Sequence, residues 1–322
     1  MNKFYIGIDL GGTSVKFATL DKSSGRISDV MKYRFIRKVS VENEVEENLK
    51  RHIDKICQIK QEEDSILEGI GIGMAALFDR LTGRITMWPN NDKWSNFPLM
   101  DYLSQCYHVP VAMGDDANVA ALGEQYIGSG KGYTSLAYVT ISTGIGCGII
   151  LNDSLVTGHH GWAGEIGHIR VAGNDALCTC GAKGCLQAVA SGLAIERIFY
   201  EKRKQDNHKQ IQVKEIAALA VRGDKTAKEV FDSAGTYIGD ALANLAMILD
   251  VPLIIVGGGI VQSGKLILEP LSKQFKDSIQ DKREVKIVTS QLYDQNGVMG
   301  ALALIDKHVK KLIQRRTDKE IM

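Results

Sequence analysis

The chain has 322 residues, enough for two domains with full cores. Hydrophobic residues make up 44% and charged residues 24%, and the net charge is +1, an ordinary soluble balance that gives no reason to expect nucleic acid or an anionic membrane as partner. The start, MNKFYIGIDLGG, is broken by Asp9 and two glycines and does not read as a signal peptide, and no stretch approaches the roughly 20 apolar residues of a membrane span, so a cytoplasmic location is expected.

In chain order, Tyr5–Leu20 (YIGIDLGGTSVKFATL) reads as a strand, a Gly-Gly-Thr turn and a second strand. Val41–Ile59 carries apolar residues at helical spacing, and Ile70–Met74 is a short buried strand. Pro98–Tyr107 reads as helix, Val109–Met113 as strand and Ala117–Ile127 as helix. Tyr138–Leu151 (YVTISTGIGCGIIL) repeats the opening layout of strand, Ser-Thr-Gly turn and strand, about 130 residues later. Helices follow near Leu193–Lys204, Val213–Val221 and Ala227–Leu249. Pro252–Val256 is a buried strand running into Gly257-Gly258-Gly259, then come a helix near Lys265–Gln280, a strand over Val285–Thr289 and a last helix from about Asn296. The alternation predicts an α/β fold with mixed sheets. The repeated hairpin predicts two related domains: residues 1–117 with about 299–322, and residues 118–298. The tail KKLIQRRTDKEIM reads as a fraying helix end.

The segment Gly161–Gln187, GWAGEIGHIRVAGNDALCTCGAKGCLQ, is the most specific in the chain. His168, Cys178, Cys180 and Cys185 supply one imidazole and three thiolates, a complete tetrahedral set for zinc. A filled set leaves no open position for water, so the metal is expected to be structural. Glu165 and His168, three residues apart among glycines, can hydrogen-bond a polyhydroxylated ligand, and a metal knuckle would hold them in place. Cys57, Cys106 and Cys147 stand apart in apolar contexts and read as packed free thiols in a reducing compartment.

Glycines in the two hairpin turns let backbone N–H groups approach a phosphate. Asp9 ends a strand just before Gly11-Gly12-Thr13, where a carboxylate commonly holds Mg²⁺. Lys16 could face phosphate, but it reads at least as well as an outward strand lysine. Asp115-Asp116 closes the strand VPVAM before a helix, at the end of an open α/β sheet where ligands bind. Phosphoryl transfer to a hydroxyl needs one carboxylate to accept its proton, and Asp116 is the candidate, with a helix N-cap as its structural alternative. Trp88, Asn90 and Trp94 lie in a loop whose asparagines and indole walls suit a sugar.

Together these segments resemble the ROK family of bacterial sugar kinases and sugar-linked repressors. IDLGGTSVKF is similar to its first phosphate motif, GDDANVAALGE to its catalytic segment, STGIGCGII to its second phosphate motif, and GWAGEIGHI with CTCGAKGCLQAVASG to its sugar-and-zinc signature. Gly257-Gly258-Gly259 resembles the adenosine-side turn. The resemblance implies an actin- and hexokinase-like (ribonuclease H-like) fold of two domains around a cleft. It implies Asp116 as general base, and Asn90, Asp115, Glu165, His168 and Gln187 around the sugar. ATP with Mg²⁺ would be held by Asp9, Gly11, Gly12, Thr13, Thr143, Gly144, Gly257 and Gly258. A structural zinc, and dimers or tetramers, are also implied.

Three positions depart from the family's usual pattern, all in the expected sugar site. Asp115 stands where an asparagine is usual, Gln187 where many members have glutamate, and Ala75-Ala76 where glucokinases have Pro-Gly. The expected function is ATP-dependent phosphorylation of a neutral hexose, glucose first and at its 6-hydroxyl. The alternatives are an N-acetylmannosamine, N-acetylglucosamine, fructose or allose kinase, and a sugar-binding regulator without turnover. A DNA-binding repressor is disfavoured because the first phosphate strand begins near residue 3, and a catalytic zinc hydrolase because the ligand set is closed.

Overall fold

The computed structural model describes residues 1–12, 14–34, 44–79, 82–88, 94, 96–203, 211–279 and 284–321, with the backbone alone for 44, 77 and 315–321. The chain divides into two units, Met1–Gly128 with Asp294–Met322, and Ser129–Tyr293.

The first unit opens with β1 (Asn2–Leu10), β2 (Ser14–Asp21) and β3 (Met31–Arg34), followed by α1 (Glu44–Glu62), β4 (Ser65–Met74), the short pair β5 (Leu77–Phe78) and β6 (Ile85–Met87), α2 (Leu99–Tyr107), β7 (Val111–Asp115) and α3 (Asp116–Ile127). Its sheet has the order β3-β2-β1-β4-β7. The hairpin β1–β2 is antiparallel, while β1, β4 and β7 run parallel. In the second unit come β8 (Leu136–Ile141), β9 (Ile145–Leu151), β10 (Ser154–Leu155), α4 (Leu186–Ala190), α5 (Gly192–Arg203), α6 (Val213–Val221), α7 (Lys225–Leu249), β11 (Leu253–Gly257), α8 (Lys265–Ser278) and β12 (Lys286–Thr289). Its sheet has the order β10-β9-β8-β11-β12. Here β8–β9 is the antiparallel hairpin, and β11 runs parallel to both β8 and β12. The two sheets therefore share one plan: an edge strand, a hairpin and two further parallel strands. The final helix α9 (Asn296–Ile321) returns to the first unit.

Residue alternation explains how the first sheet is covered on both faces. In β4, SILEGIGIGM, the side chains of Ile70, Ile72 and Met74 enter an apolar cluster with Phe4, Ile6, Ile8, Leu49, Ile53, Leu99 and Leu103, which places α1 and α2 on that face. Gly69, Gly71 and Gly73 point the other way. A Cβ on Gly71 would strike the Ala301 carbonyl of α9, and one on Gly73 would lie 2.9 Å from Val119 Cγ1 of α3. The bare face of the strand is what lets α3 and α9 approach. In the second unit Val139, Ile141, Ile254 and Val256 join Phe231, Ile238, Leu242, Leu271 and Phe275 in the core. Each large side chain buried there contributes roughly 1.5–3 kcal/mol before entropy is subtracted.

The structure shifts several expected boundaries. Pro110 has no N–H to give a ladder, and its carbonyl accepts from Ile70 N at 3.0 Å, so β7 starts at Val111 rather than Val109. It then runs through Asp115, and α3 begins at Asp116. Helix α3 packs with the first unit, and the division falls after Gly128, not after residue 117. Cys106 is exposed, against the expectation of a packed thiol, whereas Cys147 is buried. Among the described residues no helix is long and apolar enough to cross a membrane.

Candidate active site

Parallel pairing brings the first unit's acidic residues to one edge. The register aligns Leu10 with Met74 and Met74 with Asp115, so Asp9, Asp115 and Asp116 all lie at the carboxyl ends of β1 and β7, with β4 between. Asp9 pairs across the hairpin with Lys16, whose Nζ lies 3.2 Å from Asp9 Oδ2 and 3.7 Å from Asp294 Oδ2. Lys16 is thus turned towards carboxylates and is not an outward strand lysine. Burial pushes the Asp9 pKa up, and Lys16 opposes that shift. The first turn of α9 closes over the same group: a Cβ on Gly297 would sit 2.7 Å from Asp9 Cγ. Gly11 N donates to Ser14 O at 3.0 Å, which closes the turn. Thr13 of that turn and Asn90 lie outside the described residues.

The acidic pair divides its work. Asp115 is the N-cap of α3: its Oδ1 accepts from Asn118 N at 2.9 Å and its Oδ2 from Asn118 Nδ2. The capping role that the sequence left open for Asp116 therefore belongs to its neighbour. Asp116 is accessible to solvent, and its Oδ1 accepts from Ala117 N at 2.8 Å. Protein around its carboxyl desolvates it, and the Asp115 charge adds to the effect, so the pKa is pushed up to about 6. A carboxylate that ionises near neutrality and faces solvent is suited to accept a proton.

Both tryptophans singled out in the sequence are buried and cannot wall a sugar. Trp88 and Trp94 are 2% and 1% exposed, with ring centroids 5.0 Å apart, and Trp94 Nε1 donates to Glu46 Oε1 at 2.6 Å.

In the second unit the glycine turns come together. Ser142 N donates to Gly144 O at 2.9 Å, making a tight turn between β8 and β9. Gly258 has φ +93, and a Cβ there would collide with the backbone of Ile141, so only glycine lets the end of β11 approach that turn. Gly192 N, at the start of α5, donates to Ser142 O at 2.7 Å. Thr143, Gly144, Gly257 and Gly258 are thereby neighbours at the ends of the parallel strands β8 and β11.

The cysteine segment folds into a knuckle. Cys178 N donates to Ala182 O at 2.7 Å, and Leu177 bridges Lys183. The donor atoms of His168, Cys178, Cys180 and Cys185 all lie within 4.8 Å of one another. Cys180 Sγ is 3.7 Å from Cys185 Sγ, and Cys178 Sγ is 3.8 Å from His168 Nδ1. A tetrahedral ion with metal–sulfur distances of about 2.3 Å would space its thiolates by about 3.8 Å. The four residues fit such an ion and could hold zinc. His168 turns Nδ1 to the sulfurs and Nε2 towards Glu165 Oε2, 3.8 Å away. Glu165 is largely exposed, so its carboxylate is open to a ligand.

Between the turn and the knuckle lies a cavity of about 370 Å³, whose walls include Thr143, Gly144, Cys178, Gln187, Ser191 and Arg197. The sequence did not single out Ser191 or Arg197. Gln187 touches both sides: its Oε1 faces Ile145 N at 3.5 Å, and its Nε2 donates to Cys178 Sγ at 3.6 Å and to Thr179 Oγ1 at 3.1 Å.

A profile described as ROK family matches residues 5–308. The chain belongs to the ROK family. A glucokinase from Halalkalibacterium halodurans is 35% identical over 314 residues, spanning 93% of this chain and 94% of that one. The ROK hexokinase from Thermus thermophilus superposes with a TM-score of 0.84 at 28% identity, covering 96% of this chain and 99% of that one. A ROK family glucokinase from Streptomyces griseus, solved with glucose and AMPPNP, superposes with a TM-score of 0.73 at 31% identity and covers 94% of this chain and 99% of its own. The two ROK structures share this chain's mixed α/β architecture of two sheets.

Proposed function

We propose that this ROK protein is an ATP-dependent glucose kinase that phosphorylates the 6-hydroxyl. The observation that carries the reading is Asp116, a solvent-facing carboxylate with its pKa pushed up to about 6 at the end of a parallel sheet. The glucokinases at 31–35% identity support glucose as the sugar. In the reaction the sugar oxygen attacks the γ-phosphorus, the bond to the bridging oxygen of ADP breaks, and the hydroxyl proton passes to Asp116. Backbone N–H groups of the turns at Gly11-Gly12 and Thr143-Gly144 bind phosphate oxygens, and the Gly257-Gly258 turn borders the adenosine. Asp9 would help to hold Mg²⁺, which supplies neutralisation of phosphate charge when bound. Glu165 and His168 accept and donate hydrogen bonds to sugar hydroxyls. His168, Cys178, Cys180 and Cys185 would hold zinc, which fixes the His168 ring from its Nδ1 side. A cytoplasmic homodimer or homotetramer remains the expected form.

ADP release measured over a panel of hexoses tests the reading. Glucose should give the highest kcat/KM, N-acetylhexosamines lower values, and glucuronate almost none, because Asp115 and Glu165 repel a second carboxylate. Preference for an acidic sugar, or no sugar-dependent ADP release at all, would overturn it.

The pH profile follows from Asp116. The base must be ionised, so kcat/KM should fall below about pH 6, tenfold per unit. Asp115→Asn removes the neighbouring charge that helps to raise this pKa, so the acid limb should move to lower pH while glucose turnover at pH 8 holds. An unmoved limb would show that Asp115 does not tune the base.

A further inference from the structure

We infer that Gln187 is a positioning residue that couples the metal knuckle to the glycine turn, so that metal and nucleotide reinforce each other's binding. The inference rests on the proposed reading of the two sites as a zinc and a phosphate site.

Gln187 is the second residue of α4, two after Cys185, and its amide lies where knuckle and turn meet. Its two ends are chemically distinct. Ile145 N can only donate, so the atom facing it at 3.5 Å must be the carbonyl oxygen. The amide nitrogen then points the other way, to Cys178 Sγ at 3.6 Å and Thr179 Oγ1 at 3.1 Å. The oxygen is also wedged between glycines: a Cβ on Gly144 would lie 3.1 Å from it, and a Cβ on Gly167, beside the ligand His168, 3.4 Å from it. One side chain therefore holds the turn by its acceptor and a metal-ligand sulfur by its donor.

The residue type matters. A glutamate could still accept from Ile145 N, but its second oxygen would face Cys178 Sγ with a negative charge, where a thiolate needs a donor. The side chain also forms part of the wall of the 370 Å³ cavity beside Thr143 and Gly144. Metal bound at Cys178 fixes that sulfur, the sulfur fixes the amide, and the amide fixes the first residues of β9 that shape the turn. Loss of the metal frees the amide and loosens the turn. By linkage, a nucleotide that orders the turn tightens the knuckle to the same degree.

The test is a titration of zinc-loaded protein with TPEN, a chelator that spares Mg²⁺, with and without saturating AMPPNP and Mg²⁺. Sugar is left out, so a sugar contact by Gln187 cannot produce the result. In the wild type, AMPPNP should raise the TPEN concentration that strips half the zinc by about tenfold. In Gln187→Met, which keeps length and loses all three amide hydrogen bonds, AMPPNP should have no effect. Gln187→Glu should behave likewise and release zinc at lower TPEN than the wild type. Should the Met variant not fold, the Glu variant carries the comparison. Equal AMPPNP shifts in wild type and variants, or no shift in a wild type that binds both zinc and AMPPNP, would overturn the coupling alone. A wild type that binds no zinc, or no AMPPNP by calorimetry, would overturn the site reading and the coupling with it.

Discussion

Asp116→Asn is expected to lower kcat on glucose by about 10²–10⁴, the usual contribution of a general base. The change removes the acceptor for the hydroxyl proton and leaves the surrounding structure in place. Asp115 caps α3 through Asn118, and that bond does not involve the altered side chain. The fold, the cap and sugar affinity should therefore persist. Glucose binding measured by calorimetry should change by less than threefold, while steady-state kcat collapses. The pH limb near 6 should vanish with the titrating group. A variant with near wild-type kcat would show that the proton goes elsewhere. A variant that loses glucose binding in step with kcat would assign Asp116 to sugar recognition instead.

Cys180→Ser is expected to cost the protein its metal, much of its stability and most of its sugar affinity. Hydroxyl oxygen is a poor substitute for thiolate, and three ligands hold zinc far less tightly than four. Cys178 and Cys185 would then keep weak partners: Gln187 and Arg170, each 3.6 Å from a sulfur, and His168 Nδ1, 3.8 Å from Cys178 Sγ. His168 would lose its anchor on the Nδ1 side, so its ring would no longer be held 3.8 Å from Glu165. Zinc content should drop from about one per chain to well below half, the melting temperature should fall by several degrees, and KM for glucose should rise at least tenfold. Full zinc occupancy in Cys180→Ser, or unchanged KM in a metal-free variant, would separate the knuckle from the sugar site.

Much of this arrangement was legible in the sequence because it rests on local patterns. Both hairpins follow from apolar strands interrupted by glycine turns, and the shared sheet plan follows from their repetition. The His/Cys cluster that could hold a metal was legible because three cysteines stand within eight residues and the histidine ten residues before the first. What stayed hidden depends on pairing across distant segments. Edge strands β3 and β10 are four and two residues long and have no pattern of their own. The Trp88–Trp94 pair read as a possible sugar wall because sequence does not show that an indole's faces are already covered by Trp94, Phe97 and the first unit's core. The division of labour between Asp115 and Asp116 could not be read either, since both stand at the same strand end and only the start of α3 decides which one caps. Gln187 showed itself in the sequence as a departure from the family pattern. Its contact with Ile145, 42 residues earlier in the chain, needed the fold.

The central claim, γ-phosphoryl transfer from ATP to the 6-hydroxyl of glucose, is tested most directly by product stoichiometry. Purified protein with ATP, Mg²⁺ and glucose is assayed in parallel for ADP and for glucose 6-phosphate, the latter with a dehydrogenase that oxidises only the 6-phosphate. One glucose 6-phosphate per ADP, with both absent when glucose is withheld, is the predicted result. Sugar-dependent ADP release without glucose 6-phosphate, or no ADP release with glucose present, would contradict it.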